Sequence, residues 1–502
     1  MSSPTGRPNV LFIMTDQMKA GASHLYGNTF CETPSLERLA AEGVRFEHAY
    51  TPHPLCVPAR VALWTGRYPH ATGARRNETL MPAGERHAFE IWSELGYRCG
   101  LIGKNHCFET DVDLALFDVW CELSHRGLHG TRPTRGMEWP VPLEAIRRSH
   151  AVKDRITPEQ SPRFSYATTD FPLEEYSTGL ITEQTVRFLE SHGTSRRDTP
   201  FALWVSFPDP HEPYEAPRRY ADMFAYDRIT LPPWEDRWED APERNRVLHA
   251  IMGMEEDDPN DVAGALSVYY GNVRFIDDGV GRILDALERL GLRESTIVVF
   301  CSDHGDFAGE HAMMVKGGVF YDALTRVPLL VSWPGTLPTN CVEPSMVNLV
   351  DLVPTLFTMQ GIEVPRAMQG RPLPGVTNAD PRDDAFSEYG AGGPAFTMAD
   401  LERLPRPWGR RALIESLQWR EAEGRRKMVR TREWKYVHDP MGDRDELYDL
   451  RSDPWEQRNR AGAPELAPVE SEMRRRLADW MIATEDATPV ELPPARSEAH
   501  ES

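Results

Sequence analysis

Four short polar clusters in this chain each begin where an apolar run ends: Asp16-Gln17, Gly103-Lys104-Asn105-His106, Asp209-Pro210-His211 and Ser302-Asp303-His304-Gly305. In an open α/β sheet, ligands bind beyond the carboxyl ends of the strands. If the runs are neighbouring parallel strands, the four clusters meet on one rim. Asp16, Gln17, Asp303 and His304 then offer two carboxylates, an amide oxygen and an imidazole. The oxygen donors suit Ca²⁺, Mg²⁺ or Mn²⁺, and the imidazole draws the set toward Mn²⁺ or Zn²⁺. Taken one at a time, such clusters read equally well as loop and helix-capping residues.

Cys56 stands between Pro54 and Pro58, with Arg60 four residues on and a helical pattern starting near Pro58. A cysteine at a helix N-terminus sits in partial positive charge beside free N–H groups. That spacing reads as an activated cysteine or an anion site, against the ordinary reading of a small buried apolar residue.

The elements that must position these residues follow from the apolar runs 10–14, 97–102, 201–207, 296–301 and 327–333. Helical patterns lie between them, at 35–42, with Thr33 as its N-cap and Pro34 at its first position, at 177–191, and at 264–290, ending at Gly291. Strands alternating with helices predict a parallel sheet. Residues 126–171 are rich in Pro, Arg and His without a period, and read as an insertion or long loop. Beyond residue 380, two short strand patterns (428–437 and 446–450) and an amphipathic helix (468–483) predict a small α+β subdomain. The expected division is 1–378, a catalytic domain, 379–487, the subdomain, and 488–502, a polar tail. The fold class is therefore α/β: a large, mostly parallel sheet sandwiched by helices, with a smaller C-terminal α+β subdomain.

The 502 residues carry 56 basic and 77 acidic side chains, a net charge of −21. That balance argues against nucleic acid or an anionic membrane as partner. No apolar stretch is long enough to span a membrane, and the opening run of five apolar residues is too short for an export signal. The seven scattered cysteines lack zinc-site spacing and read as reduced, which places the protein in the cytoplasm.

Cys56-Val57-Pro58-Ala59-Arg60, followed by Thr65-Gly66-Arg67, resembles the C-x-P-x-R signature of type I sulfatases in the alkaline phosphatase superfamily. The order of the other motifs is similar too: Asp16-Gln17, Lys104-x-His106, His211, Asp303-His304-Gly305, Lys316, Arg326-Val327-Pro328-Leu329 and Trp333-Pro334-Gly335. Trp434-Lys435-Tyr436 and Glu446-Leu447-Tyr448-Asp449-Leu450 resemble the family's C-terminal signature, so the likeness covers roughly residues 8–460. It implies an alkaline-phosphatase-like sheet and an antiparallel sheet in the subdomain. It also implies that Cys56 is oxidised to formylglycine by a maturation enzyme, and that related chains assemble as dimers or tetramers.

The resemblance further implies a reaction. The hydrated formylglycine would attack the sulfur of a small anionic ester, the alcohol would leave, and the aldehyde would re-form as sulfate departs. Asp16, Gln17, Asp303, His304 and residue 56 would hold one divalent metal (Ca, Mn, Mg or Zn). Arg60 would orient residue 56, Lys104 and Lys316 would pair with anionic oxygens, His106 would act as base and His211 as acid. Asn77 would reach the substrate anion.

Two positions depart from the commonest sulfatase pattern, which has a second Asp where Gln17 stands and often Asn at His304. These pairs resemble phosphonate monoester hydrolases and choline-sulfatase-like members, whereas Lys104 and His106 resemble sulfatases. The expectation is a sulfatase, with phosphonate monoester or phosphodiester hydrolysis as the alternative at the same site. A silent anion binder and a transferase are the readings from other classes. The alcohol of the ester would be set by residues 126–171 and 390–413. Trp139, Trp234, Trp238 and Trp408 there and nearby would suit an aryl or quaternary-ammonium group or serve as packing.

Overall fold

A computed structural model describes residues 6–485 except 110, 125–126, 129–133, 157–162 and 234–237. The expected tail from residue 488 lies outside the described residues, as does Trp234.

The strand Asn9–Asp16 shows how the sheet arises. Its eight residues are all buried, as expected of a strand covered on both faces. Side chains alternate across a strand, and the alternation divides the core in two. Leu11 and Ile13 pack with Leu180, Ile181, Ile283 and Leu284 on one face. Val10, Phe12 and Met14 pack with Val57, Val61, Trp64, Phe89 and Trp92 on the other. The first layer of helices includes Ser177–Ser195 and Pro259–Arg289; the second includes Cys56–Thr65, Ala88–Glu94 and Leu352–Gln360. Trp64 anchors the second layer, with ring centroids 4.8 Å from Phe12 and 5.1 Å from Trp204. Truncating such a side chain to alanine costs roughly 3–5 kcal/mol.

Five parallel strands form the centre of the sheet. In spatial order they are Val119–Ser124, Arg98–Gly103, Phe201–Pro210, Asn9–Asp16 and Thr296–Ser302. Leu329–Ser332 and then Val44–Tyr50 continue the sheet antiparallel, and Cys341–Asn348 pairs parallel with Val44–Tyr50. The expected sheet is thus present, with antiparallel strands added at its margins.

Helix boundaries depart from the sequence reading in instructive places. The helix Pro34–Ala41 does begin after Thr33, but the Thr33 side chain gives no cap. Asp277 caps it instead, accepting from the N–H groups of Ser35 at 3.0 Å and Leu36 at 2.8 Å. The long helix starts at Pro259, five residues earlier than expected, because Asp258 accepts from Asn260 N–H and Pro259 suits a first turn. Residues 126–171 are more than a loop: they hold the helix Leu143–Ile156 and the strand Tyr166–Thr169, which pairs with Tyr214–Pro217.

The single strand expected at 428–437 is a hairpin, Arg426–Thr431 and Trp434–His438, within an antiparallel sheet that also holds Asp384–Tyr389 and Glu446–Asp449. The helix Ala467–Thr484 lays Met473, Leu477 and Trp480 on this sheet, against Phe386, Val429 and Tyr436. Residues 390–413 include Met398–Leu401 and the start of a further helix, Arg410–Ala422. No helix among the described residues is long and apolar enough to cross a membrane.

Candidate active site

The strand register sets the site. Thr15 pairs with Ser302 and Gly103 with Ser206, so Asp16 and Asp303 emerge side by side from adjacent parallel strands, and Lys104 emerges at the same rim from Arg98–Gly103, on the far side of Phe201–Pro210. The helix Cys56–Thr65 is buried along its whole length and presents Cys56 from its first turn. The Cys56 sulfur lies 3.0 Å from Lys316 Nζ, 3.1 Å from His304 Nε2, 3.7 Å from Asp16 Oδ1 and 3.9 Å from Lys104 Nζ. His106 and His211 line the cavity with it. Six of the expected residues are therefore gathered about the Cys56 side chain.

Electrostatics follow from this packing. Burial alone would push the Cys56 thiol up, but Lys104, Lys316 and His304 outweigh it and hold the thiol well below its ordinary value. Asp16 is opposed by burial in the same way and is held down by Lys104, with which it pairs directly, and by His211 and Lys316. Burial lowers His211 to about 4, helped by Lys316. Burial and Lys104 also lower His106.

Arg60 is fully buried and uses its guanidinium as a strut. It donates to Asp303 Oδ2 at 2.9 Å, Asp16 Oδ2 at 3.0 Å, Ser206 Oγ at 3.0 Å, and the carbonyls of Lys104 at 2.9 Å and Asn105 at 3.3 Å. None of its hydrogen bonds reaches Cys56. It holds the two carboxylates that face residue 56.

The donors present fit a divalent cation. Ligand atoms of Asp16, Cys56, Asp303 and His304 lie within 4.8 Å of one another and are buried. His304 Nδ1 bonds to the Gly305 carbonyl at 2.9 Å, which turns Nε2 toward Cys56. Gln17 Nε2 donates to Asp306 Oδ2 at 2.6 Å, and Tyr214 donates to the same oxygen at 2.8 Å. With its N–H side held there, the Gln17 amide keeps Oε1 buried and without a hydrogen-bond partner. A buried unpartnered acceptor is costly unless something else satisfies it. Gln17 also has φ 69°, a left-handed backbone that is strained for a residue with a side chain.

Asn77 lines the cavity over Cys56, but its polar atoms are engaged: Oδ1 accepts from Val57 N–H at 3.2 Å and Nδ2 donates to Glu421 Oε1 at 3.1 Å. It holds the first turn of the cysteine helix, whose N–H groups otherwise lack acceptors. The cavity has a volume of about 230 Å³. A larger polar hollow, about 470 Å³, lies between Tyr68, Arg382, Arg476 and Trp480 and contains none of these residues. Trp139, Trp238 and Trp408 do not line the active-site cavity; Trp139 bonds to Gln184 and Trp238 stacks on His249.

Sequence reasoning missed Asp306, Tyr214, Glu421 and the pair Glu212–Arg410, bonded at 2.8 Å. Asp306 was within reach, three residues beyond Asp303 in the same cluster. Glu421 carries no local signal, since its partner Asn77 is 344 residues away in the chain.

Comparison with known proteins agrees with this geometry. The sulfatase family model matches residues 8–362. An arylsulfatase of Clostridium perfringens is 28% identical over 397 residues, covering 76% of this chain and 80% of that protein. An N-acetylglucosamine-6-O-sulfatase of Bacteroides thetaiotaomicron is 25% identical, covering 97% and 88%. The crystal structure of the phosphonate monoester hydrolase of Agrobacterium radiobacter superposes with a TM-score of 0.74 at 23% identity, over 95% of this chain and 96% of that one; this likeness bears on the fold alone. With most of its length matched and Cys56 at the focus of the strand ends, the chain belongs to the sulfatase family, hydrolases that act on sulfuric esters.

Proposed function

We propose that the protein hydrolyses sulfate monoesters, R–O–SO₃⁻ plus water giving R–OH and hydrogen sulfate, at residue 56 after its oxidation to formylglycine. The observation that carries this reading is the shell of Lys316, His304, Asp16 and Lys104 within 3.9 Å of the Cys56 sulfur. Hydrated, the aldehyde supplies one hydroxyl for attack and a second for release. Asp16, Gln17, Asp303 and His304 with residue 56 would hold a divalent cation, which would supply Lewis-acid charge at the floor of the site.

The remaining work falls to side chains. The ammonium groups of Lys104 and Lys316 face the reacting position and neutralise the sulfo oxygens as charge builds. His211, on the cavity side, is held neutral by burial; the anionic ester bound beside it favours its protonated form, which delivers a proton to the departing alcohol oxygen. His106 takes the proton from the second hydroxyl. Arg60 keeps Asp16 and Asp303 fixed throughout, so they need not reorganise during the reaction.

Gln17 and His304 in place of further carboxylate character lower the negative charge of the floor, which favours phosphonate monoesters as second substrates of the same site. Seven unpaired cysteines, six of them buried, support a reducing compartment and thus the cytoplasm. The test is a paired assay on one metal-replete preparation whose residue 56 is an aldehyde by mass spectrometry. A higher kcat/KM for an aryl sulfate than for an aryl phosphonate monoester supports the sulfatase reading; the reverse order makes the phosphonate activity primary.

A further inference from the structure

The wall of the cavity opposite the strand ends comes from the C-terminal part of the chain. The helix Arg410–Ala422 spans it and is tied to the catalytic floor at both ends. At its start, Arg410 donates to Glu212 at 2.8 Å, the residue next to His211. At its end, Glu421 accepts from Asn77 N–H at 2.9 Å and Asn77 Nδ2 at 3.1 Å, and Asn77 in turn holds the first turn of the cysteine helix. Between these ties, Leu413 and Ile414 face the cavity together with Met252 and Val315. The charged groups of the described lining on this side are engaged: Arg163 pairs with Asp257, Arg410 with Glu212, and Glu421 is held by Asn77. Burial raises Glu421 to about 7, which lessens the charge an apolar group would meet there.

We propose that the helix Arg410–Ala422 is the specificity element of the site, and that Leu413 and Ile414 make the alcohol side a compact apolar slot that takes a single ring or short alkyl chain and rejects a hydroxyl-rich sugar. The proposal rests on the ester-hydrolase reading above. Volume supports it: the whole cavity is about 230 Å³, and an apolar cavity of about 150 Å³ holds one benzene. Chemistry supports it too. Sugar hydroxyls buried here would lose water and meet polar groups already committed to one another, whereas apolar carbon gains from every contact.

The test separates binding from turnover. Metal-loaded Cys56→Ala protein, which has no nucleophile at this position, is titrated calorimetrically with phenyl sulfate, glucose 6-sulfate and inorganic sulfate. Phenyl sulfate is expected to bind at least tenfold more tightly than either of the others. Leu413→Ala and Ile414→Ser, each added to Cys56→Ala, are expected to weaken phenyl sulfate by about tenfold, in the range of a lost apolar contact, and to leave inorganic sulfate within twofold. Ile414 is 61% exposed, so its substitution leaves the fold intact even if Leu413→Ala does not. Phenyl sulfate binding no tighter than inorganic sulfate, tighter binding of glucose 6-sulfate, or unchanged phenyl sulfate affinity in Ile414→Ser overturns the proposal. Turnover of phenyl sulfate by the aldehyde-bearing enzyme is read separately, so failure of the hydrolase reading and failure of the slot give different results.

Discussion

Arg60 Nε lies 2.9 Å from Asp303 Oδ2, and both side chains are completely buried. The same guanidinium reaches Asp16 Oδ2 at 3.0 Å, so one cation fixes two carboxylates from neighbouring strands. Removing one partner of a buried ion pair costs about 3–5 kcal/mol, because the other charge is left uncompensated. Arg60→Ala is therefore expected to lose stability of that order in denaturant unfolding, along with turnover. Arg60→Ala unfolding at the wild-type denaturant concentration would show that the strut is not needed.

Asp306 would act on the proposed metal site through Gln17. It anchors the amide N–H group and so decides which way Oε1 faces. Removing groups that orient metal ligands typically costs 10–100-fold in metal affinity. Asp306→Ala is expected to weaken divalent-cation binding by about that factor in calorimetric titration of metal-stripped protein. Affinity equal to wild type would mean that Gln17 does not serve as a ligand.

Asn77 separates two roles by kinetics. If it holds the cysteine helix through Val57, Asn77→Ala shifts the nucleophile, and a displacement near 1 Å costs about 100-fold. The expected result is a kcat lowered by about 10- to 100-fold with KM little changed. A raised KM at unchanged kcat would instead assign Asn77 to substrate binding.

Buried histidines and buried carboxyl groups pull the pH dependence of stability in opposite directions. Burial lowers His48, His192 and His211 to about 4 and His311 to about 3, and raises Glu122, Glu421 and Glu456 to about 7 and Asp277 to about 6. As pH falls from 6.5 to about 4 the unfolded chain protonates the histidines and the folded one does not, which costs stability; the folded chain protonates the carboxyl groups first, which offsets that cost. Removing one histidine isolates its share: His192→Phe is expected to lose less melting temperature than the wild type between about pH 7 and 5. The same loss in both proteins would contradict the shift assigned to His192.

Much of this was legible in the sequence, and the reason is physical. The strands at 9–16, 201–210 and 296–302 are buried on both faces, so they appear as unbroken apolar runs followed by the polar residues of the rim. Val44–Tyr50 escaped notice because Arg45, Glu47 and His48 interrupt its apolar residues, and Cys341–Asn348 because it contains Pro344 and Glu343. The residue types at the site were readable from their motifs, but not their partners. Arg60 was expected at residue 56 and is found on Asp16 and Asp303, a distinction fixed only by which strand ends adjoin. Glu421 and Arg410 reach the site through long-range packing, which leaves no mark on local spacing.

Residue 56, as formylglycine, is the proposed nucleophile. Preparations with graded aldehyde content, measured by mass spectrometry of the peptide holding residue 56, provide the most direct test. Aryl sulfate kcat should rise in proportion to the aldehyde fraction, and Cys56→Ala should show no turnover while melting near the wild-type temperature. Full sulfate-ester hydrolysis by Cys56→Ala, or a kcat independent of aldehyde content, would contradict the account.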